Sequence, residues 1–345
     1  MSEKAAVLVA GSWGTALASV LADKMDVMIW TRNEAQRDEI NEKHRNEKYL
    51  PGVDLSHRIV ATSNMGEAVA GAKAVVIVAP SSAMRDVARA LKPHWNEDMT
   101  VVHATKGFET ESLKRMSVVI AEELGCEEGR IVVLSGPSHA EEVVKCCPTT
   151  VVVASLEEEQ AQIAQDLFMN SYFRVYTNRD MLGVELAGAL KNIIALGAGM
   201  SDGLGYGDNA KAALLTRGLA EITRIGVEMG ANPLTFAGLA GVGDLVVTAT
   251  SRHSRNWRAG YMIGEGKSVD TVLGSMGMVV EGIRTTKAAR TISEKFHVQM
   301  PIAQQLYHVL FDGVEPRVAV EALMGRDRKT EMEVMSLETW EQWHA

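Results

Sequence analysis

Through the first half of the chain, short unbroken apolar runs alternate with stretches of helical spacing. Ala6-Val7-Leu8-Val9, Val27-Met28-Ile29-Trp30, Val75-Val76-Ile77-Val78, Val101-Val102-His103-Ala104, Ile131-Val132-Val133-Leu134 and Thr150-Val151-Val152-Val153-Ala154 read as strands. The runs are continuous rather than alternating, as expected of strands covered on both faces. Thr15 to Leu21 and Asn33 to Arg45 carry helical patterns between them. That order predicts an α/β doubly wound, mostly parallel sheet with crossover helices. After Asn178 the strand-like runs thin out and long helical windows take over, Met181 to Met200 and Asp208 to Met229. Two domains are therefore expected, residues 1–178 around the sheet and residues 179–345 all-α. Arg326 to Ala345 reads as a surface helix or a frayed tail.

Composition narrows the function classes. The 345 residues are 46% apolar and 23% charged, which suits a globular chain with a substantial core. Lys and Arg number 35 against 44 Asp and Glu, a net charge of −9. Such a chain is a poor non-specific partner for nucleic acid or an anionic membrane surface. Three cysteines, Cys126, Cys146 and Cys147, show no metal-site spacing and read as free thiols in a reducing compartment. No signal-peptide layout is visible, and no run approaches the ~18 apolar residues of a membrane span. The expectation is a cytoplasmic protein without membrane insertion.

In an open α/β sheet, ligands sit beyond the carboxyl ends of the strands. There the chain places its chemistry. Val9-Ala10-Gly11-Ser12-Trp13-Gly14 joins a buried strand to an Ala-rich helix and carries two of the three glycines of a dinucleotide fingerprint. Gly11 would admit a pyrophosphate to the helix N-terminus, with Ser12 and Trp13 beside it, and Gly14 would let helix and strand pack closely. The second strand ends at Arg32 instead of the Asp or Glu that holds a ribose 2′-hydroxyl, so a 2′-phosphate, and hence NADPH, is accepted. A solvated surface arginine is the alternative.

Further along, Gly136-Pro137 makes a turn, and Ser138 with Glu141 forms a capping box that starts a helix. Lys106 follows a strand end. Lys191 stands in the almost wholly apolar Leu186 to Leu196, where burial would lower its pKa and a second lysine such as Lys106 would lower it further. Such an amine can exchange protons near neutral pH, whereas a snorkelling surface lysine could not. Asp244, in Gly241-Val242-Gly243-Asp244-Leu245, could pair with it. Ser251 to Arg258 packs three arginines into eight residues of an acidic chain, which suits a small-anion pocket or a basic solvated face. Gly203 to Asp208 is a loop and helix start, lacking the Gly-Lys-Ser/Thr ending of a P-loop.

Seven separated segments, taken together, resemble the bacterial NAD(P)-dependent glycerol-3-phosphate dehydrogenases: Gly11–Ala18, Ser135–Glu142, Leu190–Ile193, Asp202–Lys211, Gly241–Leu245, Ser254–Asn256 and Gly277–Gly282. The likeness runs from Ala5 to Met332. It implies an NAD(P)-binding Rossmann domain followed by a helical domain. It also implies reversible reduction of dihydroxyacetone phosphate to sn-glycerol 3-phosphate with NADP(H) or NAD(H), for phospholipid synthesis, by a homodimer. By this resemblance Lys191 exchanges the proton, and Lys106, Gly136, Ser138, Asp244, Ser254, Arg255 and Asn256 line the substrate pocket. Ser12, Trp13, Arg32, Asn33, Tyr49, Lys106, Ala140, Arg255, Val279 and Glu281 would contact the cofactor. One departure stands out: the family has glycine where this chain has Val9, a β-branched residue in the tight turn, which predicts weaker cofactor binding. A dehydrogenase for another hydroxy acid and a non-catalytic NADP-binding sensor are the competing readings.

Overall fold

The computed structural model describes residues 3–277, 279–328 and 330–331. Its first part is an eight-stranded sheet: β1 (Lys4–Leu8), β2 (Asp26–Trp30), β3 (Ile59–Thr62), β4 (Ala74–Ile77), β5 (Thr100–His103), β6 (Ile131–Ser135), β7 (Thr149–Ala154) and β8 (Phe173–Asn178). The spatial order is β3-β2-β1-β4-β5-β6-β7-β8. Strands β1 to β6 are parallel, β7 runs antiparallel to β6, and β8 is parallel to β7. The order reverses between β1 and β4, so their following turns diverge and open a crevice. Every residue of β4, β5 and β6 is buried, which explains their unbroken apolar reading.

Two strands were not expected from the sequence. β3 is only Ile-Val-Ala-Thr with Val60 exposed, and β8 alternates Phe, Arg, Val, Tyr, Thr and Asn at the sheet's edge. Both are edge strands, where one wet face dilutes the apolar signal. The second helix forms over Glu34–Lys43, with Asn33 capping it by accepting from the Gln36 N–H at 3.1 Å.

The second part is built around one helix, Met181–Gly203, whose residues from Gly183 to Ser201 are all buried. By length and hydropathy it could cross a membrane, as could Pro233–Thr250, but 94% of its apolar window is buried inside the protein. Helices Asp208–Glu228, Asp244–Thr250, Arg255–Gly264 and Glu281–Lys295 pack around it. The closest approach is to Arg255–Gly264: a Cβ on Gly260 would lie 1.9 Å from the Leu196 carbonyl oxygen. Only glycine allows these two backbones to touch, and the contact brings Asn256 to Asn192. Arg326 to Ala345 lies largely outside the described residues.

Candidate active site

The turn after β1 sets the first half of the site. Val9 adopts φ 84°, a left-handed conformation that glycine takes freely and a β-branched residue does not. Its carbonyl accepts the Gly11 N–H at 3.0 Å. A Cβ on Gly14 would come within 2.2 Å of that same oxygen, so the helix Ser12–Ala22 can start here only with glycine in its first turn. Gly11, by contrast, has nothing within 4 Å of where its Cβ would be. An approach to the helix N-terminus is therefore open, and its first N–H groups suit a pyrophosphate.

Of the other residues expected at a cofactor, Ser12, Trp13 and Tyr49 meet at this turn. The Ser12 hydroxyl donates to the Tyr49 carbonyl at 2.9 Å, tying these two together beside half-buried Trp13. Arg32 is exposed past the end of β2 and makes no hydrogen bond or ion pair among the described residues. The Asn33 side chain is occupied as the helix cap. Ala140 is buried in the core that also holds Ala16 and Leu17 of the first helix. Glu281 accepts from the Ser81 hydroxyl at 3.1 and 3.3 Å, just beyond β4, and burial pushes its carboxyl above the ordinary range. Arg255 donates to the Val279 carbonyl at 3.2 Å.

The second half of the site centres on a buried carboxylate shared by two lysines. Asp244 opens the helix Asp244–Thr250, directly after a wide π-helical turn over Leu239–Gly243. Its Oδ1 lies 2.8 Å from Lys191 Nζ, and its Oδ2 lies 2.5 Å from Lys106 Nζ. Lys106 also donates to the Gly136 carbonyl at 3.2 Å. Lys191 and Asp244 are only 4% and 2% exposed. Burial pushes the Lys191 amine down to about 8; Asp244 resists that shift, and the positive charge of Lys106 reinforces it. Burial works to raise the Asp244 carboxyl as well, but Lys106 and then Lys191 outweigh it and hold the carboxyl below its ordinary value.

Remaining substrate candidates line the same region. The Ser138 hydroxyl donates to the Gly136 carbonyl at 3.0 Å. This overturns the capping box: the helix begins at Ala140 with His139 at its cap, because the neighbouring carbonyl has already taken the Ser138 hydroxyl. Ser254 caps the helix Arg255–Gly264 by accepting from the Trp257 N–H at 3.2 Å. Asn256 donates to Asn192 Oδ1 at 2.8 Å and accepts the Gly282 N–H at 2.8 Å. One polar partner was missed: Thr248 accepts from Lys191 Nζ and donates to the Asp244 carbonyl at 2.6 Å. It stands four residues after Asp244, on the same helix face.

A doubly wound sheet with an open glycine turn, joined to a helical unit that presents a buried, neutral-range amine, defines a two-part nicotinamide-dependent dehydrogenase. Comparison with known proteins specifies it. Family models described as the N-terminus and C-terminus of NAD-dependent glycerol-3-phosphate dehydrogenase match residues 4–161 and 180–321. The chain is 56% identical over 335 residues to a glycerol-3-phosphate dehydrogenase [NAD(P)+] of Lysinibacillus sphaericus, covering 96% of this chain and 99% of that one. A Pelotomaculum thermopropionicum protein of the same name is 58% identical, covering 98% and 97%. The crystal structure of glycerol-3-phosphate dehydrogenase from Coxiella burnetii superposes with a TM-score of 0.89 at 37% identity, covering 94% and 99%. The chain belongs to the NAD(P)-dependent glycerol-3-phosphate dehydrogenase family and is an oxidoreductase.

Proposed function

We infer that the protein reduces dihydroxyacetone phosphate to sn-glycerol 3-phosphate, reversibly, with Lys191 exchanging the proton. The observation that carries this reading is the Lys191–Asp244–Lys106 cluster just past the end of β5, with Lys191 and Asp244 buried. Bound NAD(P)H supplies the hydride. As negative charge grows on the ketone oxygen, Lys191 donates a proton to it and Lys106 polarises it. Asp244 fixes both amines, and Thr248 orients Lys191. Arg255, with Ser254 and Asn256 placed by the same helix start, takes the substrate phosphate, and that remote grip orients the carbonyl. Gly136 and Ser138 close the substrate pocket from the sheet side. Ser12, Trp13, Tyr49 and Ala140 flank the cofactor, with Asn33, Val279 and Glu281 further along, and Arg32 reads the 2′-phosphate.

The same reading takes residues 1–178 as the cofactor domain and 179–345 as the substrate domain. It places a homodimer in the cytoplasm, supplying glycerophospholipid synthesis, with neither nucleic acid nor inserted membrane as partner. The three free cysteines support the reducing compartment, and sedimentation at the monomer mass would remove the dimer.

Following absorbance of the reduced nicotinamide with and without dihydroxyacetone phosphate tests the activity. Consumption only when the ketone is present is expected, and cofactor binding without turnover would favour a sensor. The protonated amine is the donor, so ketone reduction should decline as pH rises through about 8, while the reverse oxidation gains. In the same assay Arg32→Ala should slow the NADPH reaction and spare the NADH one; equal loss with both cofactors overturns that assignment.

A further inference from the structure

Beneath the two lysines, a second buried carboxylate joins the halves of the molecule. Glu185, in the second turn of the Met181–Gly203 helix, has a side chain only 5% exposed. It accepts from the Ser117 N–H at 2.9 Å, the Ser117 hydroxyl at 2.7 Å and Arg115 Nη1 at 2.5 Å. His103 Nε2 lies 3.2 Å from its Oε1. Burial pushes this carboxyl up, but His103, Arg115 and Ser117 pull it down to about 2, so it is ionised. Glu128 completes the cluster, 2.7 Å from Arg115 Nη2 and 2.9 Å from the Ser117 hydroxyl.

The placement of these groups is what gives Glu185 leverage. His103 ends β5, three residues before Lys106. Arg115 and Ser117 begin the helix Met116–Leu124, whose N-cap residue supplies no side-chain bond, so Glu185 caps it from the other half of the molecule. Glu185, Gly188 and Asn192 share a face of the central helix at i, i+3 and i+7. At Gly188 a Cβ would sit 2.9 Å from Ser135 Oγ and 3.5 Å from Lys106 Cγ, so the helix rests directly on the end of β6 and the stem of Lys106. Asn192 meets Asn256 through neutral groups. Along this face Glu185 is the ionic tether, and Lys191 lies about 9 Å further along the axis, at 1.5 Å per residue. The far end of the helix is held by the helical half, through Asp202 to Lys211 and Trp257, whereas Glu185 is its charged contact to β5 and to the Met116–Leu124 helix.

We propose that Glu185 is a positioning residue: by clamping the central helix to the end of β5 and to the head of the Met116–Leu124 helix, it sets the rotation and rise at which Lys191 meets Asp244 and faces Lys106. This rests on the proton-donor reading of Lys191. Displacement would rehydrate the amine and move it from the reacting oxygen, whereas the β1 turn, on the far side of β4, keeps its geometry.

The test is Glu185→Gln in the full chain. Because small misplacements are costly, kcat for ketone reduction should fall about tenfold or more, with NADPH affinity held within about twofold. The alkaline limb near pH 8 should move upward. A variant with lowered Tm but the parent's kcat and limb overturns the proposal, since a purely structural role moves neither. If the Gln variant does not fold, Ser117→Ala removes one neutral donor and should lower kcat about threefold with the limb moving the same way. Parental kcat and limb in that variant equally overturn it. Failure of the proton-donor reading shows separately, as an alkaline limb that survives in Lys191→Ala.

Discussion

Val9 shows how one side chain can work against its own turn. Its φ of 84° is forced by the backbone path from β1 into the first helix, where the Val9 carbonyl meets Gly11 and crowds Gly14. A β-branched residue held there costs on the order of 1–3 kcal/mol. Its half-buried side chain packs against the core that holds Leu8, Trp30 and Ile77, which offsets part of that cost. That strain weighs on the free and the bound protein alike, so it is by uncrowding the pyrophosphate's approach that Val9→Gly should tighten NADPH binding about threefold to tenfold, the equivalent of ~1 kcal/mol, measured as Kd by fluorescence titration. An unchanged Kd removes the claim that this valine weakens cofactor binding. The conflict was legible in the sequence because the fingerprint specifies the position and its conformation. Lys191 was legible too, since a charge in an apolar helix is conspicuous. Thr248 was not: a threonine four residues past an aspartate is commonplace, and only the tertiary fold brings Lys191 onto it. Ser138 misled, because a capping pattern says nothing of a carbonyl already within its reach.

At the scale of elements, the same reliance on imported caps recurs away from the site. Helix Pro301–Phe311 begins with Pro301, and its next donors are taken by Glu221 of the Asp208–Glu228 helix, from Ile302 N–H at 2.8 Å and Ala303 N–H at 3.3 Å. Burial pushes the Glu221 carboxyl up to about 7, against the pull of those two N–H groups. A raised carboxyl pKa means the folded state holds its proton longer than the unfolded chain. That contribution to stability is whole below about 4.5 and is lost as pH rises through about 7. Glu221→Gln keeps an acceptor and removes the ionisation, so it should raise Tm by several degrees at pH 8 and leave it nearly unchanged at pH 5, in parallel thermal melts. An equal shift at both pH values would show that ionisation is not the cause. Element by element, the central strands were plain because double-sided burial writes continuous apolar runs. β3 and β8 were not, because an edge strand is apolar on fewer positions and its pairing is decided by its neighbour.

On the scale of the whole molecule, the site is a joint. Lys106 and Gly136 come from the sheet, while Lys191, Asp244 and Thr248 come from the helical half; neither half has the cluster alone. Glu185 and Lys106 cross the same boundary, so folding, helix placement and proton transfer depend on one packed seam. The sequence conveyed that two textures alternate and then separate, and that the chemistry collects at strand ends. It offered Asp244 as a partner for Lys191, but not that the same carboxylate would also hold Lys106, because partners 138 residues apart meet only through the fold. An acidic chain of net charge −9 still gathers two lysines about one carboxylate at the site proposed for the phosphorylated ketone.

The most direct test is single-turnover reduction of dihydroxyacetone phosphate by Lys191→Ala, alongside its NADPH Kd. The account predicts a rate lowered by about 10²–10⁴-fold, the usual weight of a positioned proton donor, with Kd close to the parent's. A near-parental rate in that variant would contradict it.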